Sequence, residues 1–289
     1  MDSSVVTLGV DGVATSVFTA GRSGTETAVV FVHGNPGTGS DWGPIMRPVS
    51  EFARCVAPTM PGYGSTTPEA FDFTADGYAT YLEGVLEALG VRQVHLVTHD
   101  LGGIWGLAWA ARHPTRIASL TLMNIGVLPE YQWHRFARLY RVPLIGELVL
   151  ALATRSSTRR ALQAGGRRKI PEPFVEQVHR QYRNPGTRRA VLAFYRATDD
   201  LGAVTLQAAS SIHAAALPTL VVWGAGDPYV PVRYAESQRQ FFPQAEVVVL
   251  PDSGHWPLVD DPIAVSSAVV TFLRDRVAPT PDSGSTAAA

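Results

Sequence analysis

Thr98-His99-Asp100-Leu101-Gly102-Gly103 decides how the rest of this chain is read. It follows the apolar run Val94–Thr98, which has the continuous character of a strand buried on both faces. It precedes Leu101–Arg112, whose apolar residues fall at helical spacing. A reactive residue on a strained strand-to-helix turn needs small neighbours where the two elements approach, and this hexapeptide supplies them. The helix N-terminus beneath also stabilises developing negative charge. The exposed position holds a carboxylate, Asp100, where a serine hydroxyl would be the common choice. Aspartate is also a favoured helix N-cap, so the hexapeptide alone admits a capping role.

Working outward, Val5–Val10 and Val13–Ala20 read as two strands joined by Asp11-Gly12, a strong hairpin signal. Ala28–His33, Arg54–Pro58, Ser119–Asn124, Leu220–Trp223 and Glu246–Leu250 are further β-branched apolar runs. Helical patterns lie between them at Thr74–Leu89, Leu101–Arg112, Arg233–Phe242 and Ile263–Arg276. The alternation predicts an α/β fold with a mostly parallel, doubly wound sheet and an antiparallel start. It stops between Leu128 and Ala216, where Trp133, Phe136, Leu139 and Tyr140 fall at helical spacing. The expected organisation is therefore a discontinuous core over 1–127 and 217–277, with a helical insertion over 128–216. That insertion would cover the C-terminal edge of the sheet, where open α/β sheets bind ligands. The tail 278–289, rich in Pro, Ser, Gly, Thr and Ala, has too little apolar content to pack and is expected to be disordered.

Composition bounds the function. The 289 residues are 46% hydrophobic and 17% charged, as in a soluble globular protein. A net charge of −1 supplies no long-range field for nucleic acid or an anionic membrane. The arginine cluster Arg155–Lys169 is the local exception and reads as a solvated helix face. Cys55 is the one cysteine and reads as a buried structural thiol. The N-terminus has no signal-peptide pattern and no stretch reaches membrane-spanning length, so a cytoplasmic location is the expectation. Oligomeric state is left open.

Two later motifs follow Asp100 in the order nucleophile, acid, base. Leu220–Trp223 ends in a turn that presents Asp227, and Glu246–Leu250 leads into Gly254-His255. Asp252 and Asp260 compete with Asp227 as orienting acid, but neither ends a strand. The loop His33-Gly34-Asn35-Pro36 can turn a backbone N–H toward Asp100; with the Leu101 N–H it would form a two-donor anion hole.

Together His33-Gly34-Asn35-Pro36, His99-Asp100-Leu101-Gly102-Gly103, Gly226-Asp227 and Gly254-His255 resemble the α/β-hydrolase branch that contains epoxide hydrolases and haloalkane dehalogenases. The resemblance covers the chain except its tail. It implies an α/β-hydrolase fold with an eight-stranded, mostly parallel sheet and a helical cap. A carboxylate nucleophile suits an electrophilic sp³ carbon, because the product is a stable alkyl ester. His255, oriented by Asp227, would then activate the water that hydrolyses it. No metal or cofactor is expected, only a small apolar organic substrate and water.

The two family activities differ in the leaving group. Epoxide opening needs an acid, which the family takes from cap tyrosines. Tyr195, in Ala193-Phe194-Tyr195-Arg196, resembles one of these, with Tyr140 or Tyr131 as its partner. Halide release uses a Trp directly after the nucleophile, often with the Asn of His-Gly-Asn-Pro. Asn35 is present but Leu101 stands at the Trp position, and Trp105 and Trp133 have the spacing of core residues. Epoxide hydrolysis is the favoured expectation and dehalogenation the alternative. A non-catalytic binder on the same fold is a distant third.

Overall fold

A computed structural model describes residues 4–64, 67, 70–212 and 217–277; the tail 278–289 lies outside the described residues. Eight strands form one sheet: β1 (Ser4–Val10), β2 (Val13–Ala20), β3 (Thr27–Val32), β4 (Cys55–Pro58), β5 (Gln93–His99), β6 (Ile117–Met123), β7 (Thr219–Gly224) and β8 (Glu246–Leu250). Their spatial order is β1-β2-β4-β3-β5-β6-β7-β8. β1 and β2 pair antiparallel about Asp11-Gly12, where both residues take positive φ, as a tight hairpin turn demands. β2 pairs antiparallel with β4, and every later pairing is parallel. The antiparallel start and parallel remainder agree with the sequence reading.

The inner strands β3 to β7 alternate between two buried faces, as a period of two requires. In β3, Ala28, Val30 and Val32 enter the core beneath α2 (Ala75–Ala88), α3 (Leu101–Arg112) and α9 (Leu201–Ile212). Val29 and Phe31 point the other way, to α1 (Gly43–Val49) and α12 (Pro262–Arg274). Cys55 is fully buried in that second core, and burial pushes its thiol up to about 12. Helix starts follow local chemistry: the Thr74 hydroxyl accepts the Gly77 N–H at α2, and Asp261 caps α12 through the Ala264 N–H.

Two differences from the expected elements have local causes. The helix expected over Arg233–Phe242 is shorter: α10 covers Arg233–Ser237, followed by a 3-10 turn at Gln238–Gln240. There the buried Gln238 amide bonds the Val127 N–H and the Val127 and Tyr234 carbonyls. α1 was not expected, and Pro48 lies inside it.

Between β6 and β7 the chain forms α4 (Arg135–Arg141), α5 (Ile145–Ala151), α6 (Arg155–Gly165), α7 (Glu172–Arg183) and α8 (Pro185–Ala197) before α9 returns along α3. No strand occurs in this segment among the described residues. α4 and α5 pack on α8, and α6 packs on α7. A separate small core of Leu162, Ile170, Val175, Val178 and Trp256 joins α6 and α7 to the segment after β8. A four-residue helix, α11 (Pro257–Asp260), precedes α12.

Candidate active site

Asp100 sits between β5 and α3 at φ 50°, a strained value for a residue with a side chain. Its side chain makes no capping hydrogen bond, which removes the capping role. One oxygen, Oδ2, accepts the Asn35 N–H at 2.7 Å; the other, Oδ1, lies 3.5 Å from His255 Nε2. Close approach explains the glycines. A Cβ on Gly34 would meet Asp100 Oδ2 at 2.5 Å, and one on Gly102 would meet the Val32 carbonyl at 2.3 Å.

The loop that carries Asn35 is set by His33. Its Nε2 accepts the Met60 N–H at 2.9 Å, so the neutral ring donates from Nδ1 to the Gly34 carbonyl at 2.8 Å. Burial lowers its pKa to about 4, which keeps it neutral.

His255 Nδ1 bonds Asp227 Oδ2 at 2.8 Å. Asp227 Oδ1 accepts the N–H groups of Tyr229 and Val230 at 2.8 and 3.0 Å. The side-chain amide of Asn124, at the end of β6, donates to Asp227 Oδ2 at 2.7 Å and to the Gly254 carbonyl at 3.2 Å. Its own oxygen accepts the Gly224 N–H. The sequence reading missed Asn124; a polar residue closing a buried parallel strand was the available signal. Asp260, the rival acid, is occupied elsewhere: it accepts the N–H groups of Gly254, Arg167 and Arg168.

The charges support one another. Burial alone would raise the Asp100 carboxyl, but the hydrogen bond and charge of His255, with His99 and the Asn35 N–H, bring it down to about 2. Burial would lower His255, yet Asp227 and Asp100 outweigh it and raise the ring to about 10. His99 is neutral, with a pKa lowered to about 4 by burial. It donates from Nε2 to the His255 carbonyl at 2.8 Å, which holds the histidine loop against the elbow.

Above Asp100 and His255 lies a cavity of about 300 Å³. Asn35 also lines it, and Tyr140, Tyr182 and Tyr195 enter from α4, α7 and α8. Tyr195 packs on Trp133 and Tyr140 at ring-centroid distances of 5.0 and 5.6 Å. Burial, then the Asp100 charge, lifts its hydroxyl well above the usual range, so it stays protonated. Tyr131 is not brought to the cavity; its hydroxyl donates to the Tyr229 carbonyl at 3.2 Å. Tyr182, unmarked by any motif, instead donates to Asn35 Oδ1 at 3.1 Å. His134 also lines the wall; its Nδ1 accepts the Ala137 N–H, which leaves the proton of the neutral ring on Nε2 as a donor. Leu101 opens α3 and is buried. Of the tryptophans weighed as halide donors, Trp133 donates to the Thr198 carbonyl, and Trp105 stacks on Tyr78 with centroids 4.1 Å apart. No cluster of metal-ligating side chains occurs among the described residues.

Residues 27–262 match the model of the alpha/beta hydrolase fold family, and the chain belongs to that family. It is similar to a haloalkane dehalogenase of Mesorhizobium japonicum, 27% identical over 89% of this chain and 87% of that one. A cis-3-alkyl-4-alkyloxetan-2-one decarboxylase of Shewanella oneidensis is 28% identical over 88% of this chain and 82% of its own. In three dimensions the chain resembles the Cif epoxide hydrolase of Acinetobacter nosocomialis, with a TM-score of 0.80 and 20% identity over 94% of this chain and 89% of that one.

Proposed function

We propose that this chain is a hydrolase that attacks an sp³ carbon through Asp100, with an epoxide as the favoured substrate and a diol as product. The observation that carries this reading is the single line from Asp227 through His255 to a carboxylate held by the Asn35 N–H.

In this mechanism Oδ2 stays on the Asn35 N–H, with the Leu101 N–H as the second donor of the anion hole during the reaction, and Oδ1 attacks carbon. The Asp100 Oδ1–carbon bond forms as the carbon–oxygen bond of the epoxide breaks. The released alkoxide takes its proton from Tyr195. Ester formation consumes the Asp100 charge, one of the two carboxylates that hold a proton on His255. With that charge gone the ring gives up its proton, which restores the Tyr195 hydroxyl, and can then act as base. It takes a proton from water, whose oxygen adds to the Asp100 carboxyl carbon. Negative charge then collects on Oδ2, where the Asn35 N–H already points. The alcohol leaves with Oδ1, taking the proton still on the added water oxygen, and that oxygen restores the carboxylate while His255 keeps the proton it took.

The helical segment 128–216 acts as the cap in this reading: α4–α8 supply the cavity wall and α9 returns the chain to the sheet. Tyr195 is the proton donor, Tyr182 its partner through Asn35, and Tyr140 a further hydroxyl of the wall. Dehalogenation is the second reading, supported by Asn35 in the cavity wall. A non-catalytic binder would leave the Asp100 geometry without a use.

Trapping tests the reading. A His255→Phe variant, mixed with epoxides and haloalkanes, should accumulate a covalent adduct on Asp100 visible by intact mass. Epoxides should add their whole mass, whereas haloalkanes should add their mass less the hydrogen halide. Absence of any adduct across both panels would falsify the alkyl-ester mechanism.

A further inference from the structure

The wall of the cavity carries an apolar ridge on its outer side. Val142, Leu144, Ile145, Leu148 and Leu152 are 43%, 81%, 44%, 57% and 67% exposed. These are half of the ten exposed large hydrophobic side chains among the described residues, gathered in and around α5. Leu148 stands on the outer face of α5, and Leu144 and Leu152 flank its two ends. The other face attaches α5 to the protein: Gly146 and Leu150 are buried, and Gly146 lies against Leu192 and the Tyr140 carbonyl. Leu144 also holds φ at 67°, a left-handed backbone that strains a residue with a Cβ. A leucine both strained and four-fifths exposed gains little within the monomer.

The surrounding charge is basic. Residues 135–169 hold nine Arg and Lys against one acid, Glu147, although the whole chain is at −1. Arg135 and Arg138 are exposed on α4, which packs against α5, and Arg160 is exposed on α6. Acidic partners offset part of this excess: Asp199 pairs with Arg141, Glu172 with Arg155 and Arg159, Glu176 with Arg155 and Asp261 with Arg168, while Glu147 is itself taken up by Arg196.

We propose that the α5 ridge docks on an anionic lipid surface. Apolar side chains flanked by arginines match both layers of such a surface, the acyl boundary and the acidic headgroups. Pairing with a second copy fits less well, because a two-fold contact would bring the Arg135 and Arg138 region against its own like charge. The net charge of the chain, from which no membrane contact is expected, averages this local excess away. Leu152 is both part of the ridge and part of the cavity lining. A docked molecule would therefore open its cavity toward the bilayer, a short route for apolar compounds dissolved there. That route rests on the proposed reaction; the docking does not.

The test uses the full chain, pelleted with vesicles of phosphatidylcholine alone or mixed equally with phosphatidylglycerol. Docking predicts about tenfold more bound protein on the mixed vesicles, an excess that high salt removes. Leu144→Ser with Leu148→Ser should reduce binding about tenfold, while circular dichroism stays that of the wild type. Arg135→Ser with Arg138→Ser should lose the preference for anionic vesicles. Wild-type protein left in the supernatant of mixed vesicles, or a leucine variant that binds like the wild type, overturns the proposal. So does a concentration-dependent dimer that the leucine substitutions dissolve, which would make the ridge an interface between copies.

Discussion

Asp100 and Tyr195 line one cavity but are held there by different means. Asp100, Asp227 and His255 follow the ends of β5, β7 and β8, and β5 and β7 are paired on both sides. Each polar atom of the trio has a named partner, from the Asn35 N–H to the Asn124 amide and the Tyr229 and Val230 N–H groups. The wall is assembled from helices of 7 to 13 residues. It is tied by side chains reaching for carbonyls. Arg141 bonds those of Tyr195 and Thr198, and Arg196 bonds that of Tyr140.

The wall is itself uneven. The C-terminal end of α6 is fastened to the histidine loop. Its carbonyls accept the Tyr229 hydroxyl, the Trp256 indole and the His255 N–H, while Asp260 receives N–H groups from both sides. The α5 end shows leucines to solvent. The floor thus fixes the geometry of Asp100, His255 and Asp227, and the wall shapes the cavity above them; in the proposed reaction the wall would decide which leaving group is served.

Tyr195→Phe should break that division most clearly. The epoxide reading predicts a fall in kcat/KM of about 100-fold, with little change in Tm. Tyr182→Phe, which acts through Asn35, should cost less, about tenfold. Steady-state kinetics beside calorimetry checks both, and unchanged epoxide turnover in Tyr195→Phe would move the donor to another wall residue. Asp260→Asn is the next largest. Replacing an acceptor-only carboxylate with an amide should cost about 2 kcal/mol of stability. Hydrogen exchange should rise in α6 and the histidine loop while β3, β5 and β6 keep their protection. Loss of protection across the whole sheet would contradict the separation of wall from floor.

The smallest effect is on the pH dependence of the floor. Burial lowers His33 and His99 from 6.5 to about 4 in the folded protein. Their contribution to stability is therefore complete above pH 6.5 and is lost as pH falls toward 4. Between pH 7 and 6 this costs about 0.7 kcal/mol per ring. His255, raised to about 10, acts in the opposite sense: its contribution is complete below 6.5 and lost as pH rises through 10. Tm measured across this range should fall on the acid side. His95 and His134, also lowered to about 4 by burial, act in the same direction, so a flat profile from pH 7 to 5 would mean that these rings are not buried neutral.

The site was legible in the sequence where its constraints are local. A side chain held on a strained strand-to-helix turn requires small neighbours at adjacent positions, so Asp100 and the glycines around it are visible together. Asp227 and His255 follow strand ends that periodicity locates. Asn124 and Tyr182 were not legible, because they meet Asp227 and Asn35 across 103 and 147 residues of chain. Tyr131 looked equivalent to Tyr140 by position, and only packing turned its hydroxyl to the Tyr229 carbonyl.

What the sequence determined by itself was the order of elements and the carboxylate at the turn, both consequences of short-range sterics and hydrophobic period. Tertiary structure decided the rest. It brought Asn35 Oδ1 under a tyrosine from α7, and it left the α5 leucines outside while Leu150, on the same short helix, is buried. Which face of a helix is covered depends on neighbours distant in sequence, and no local pattern carries that information.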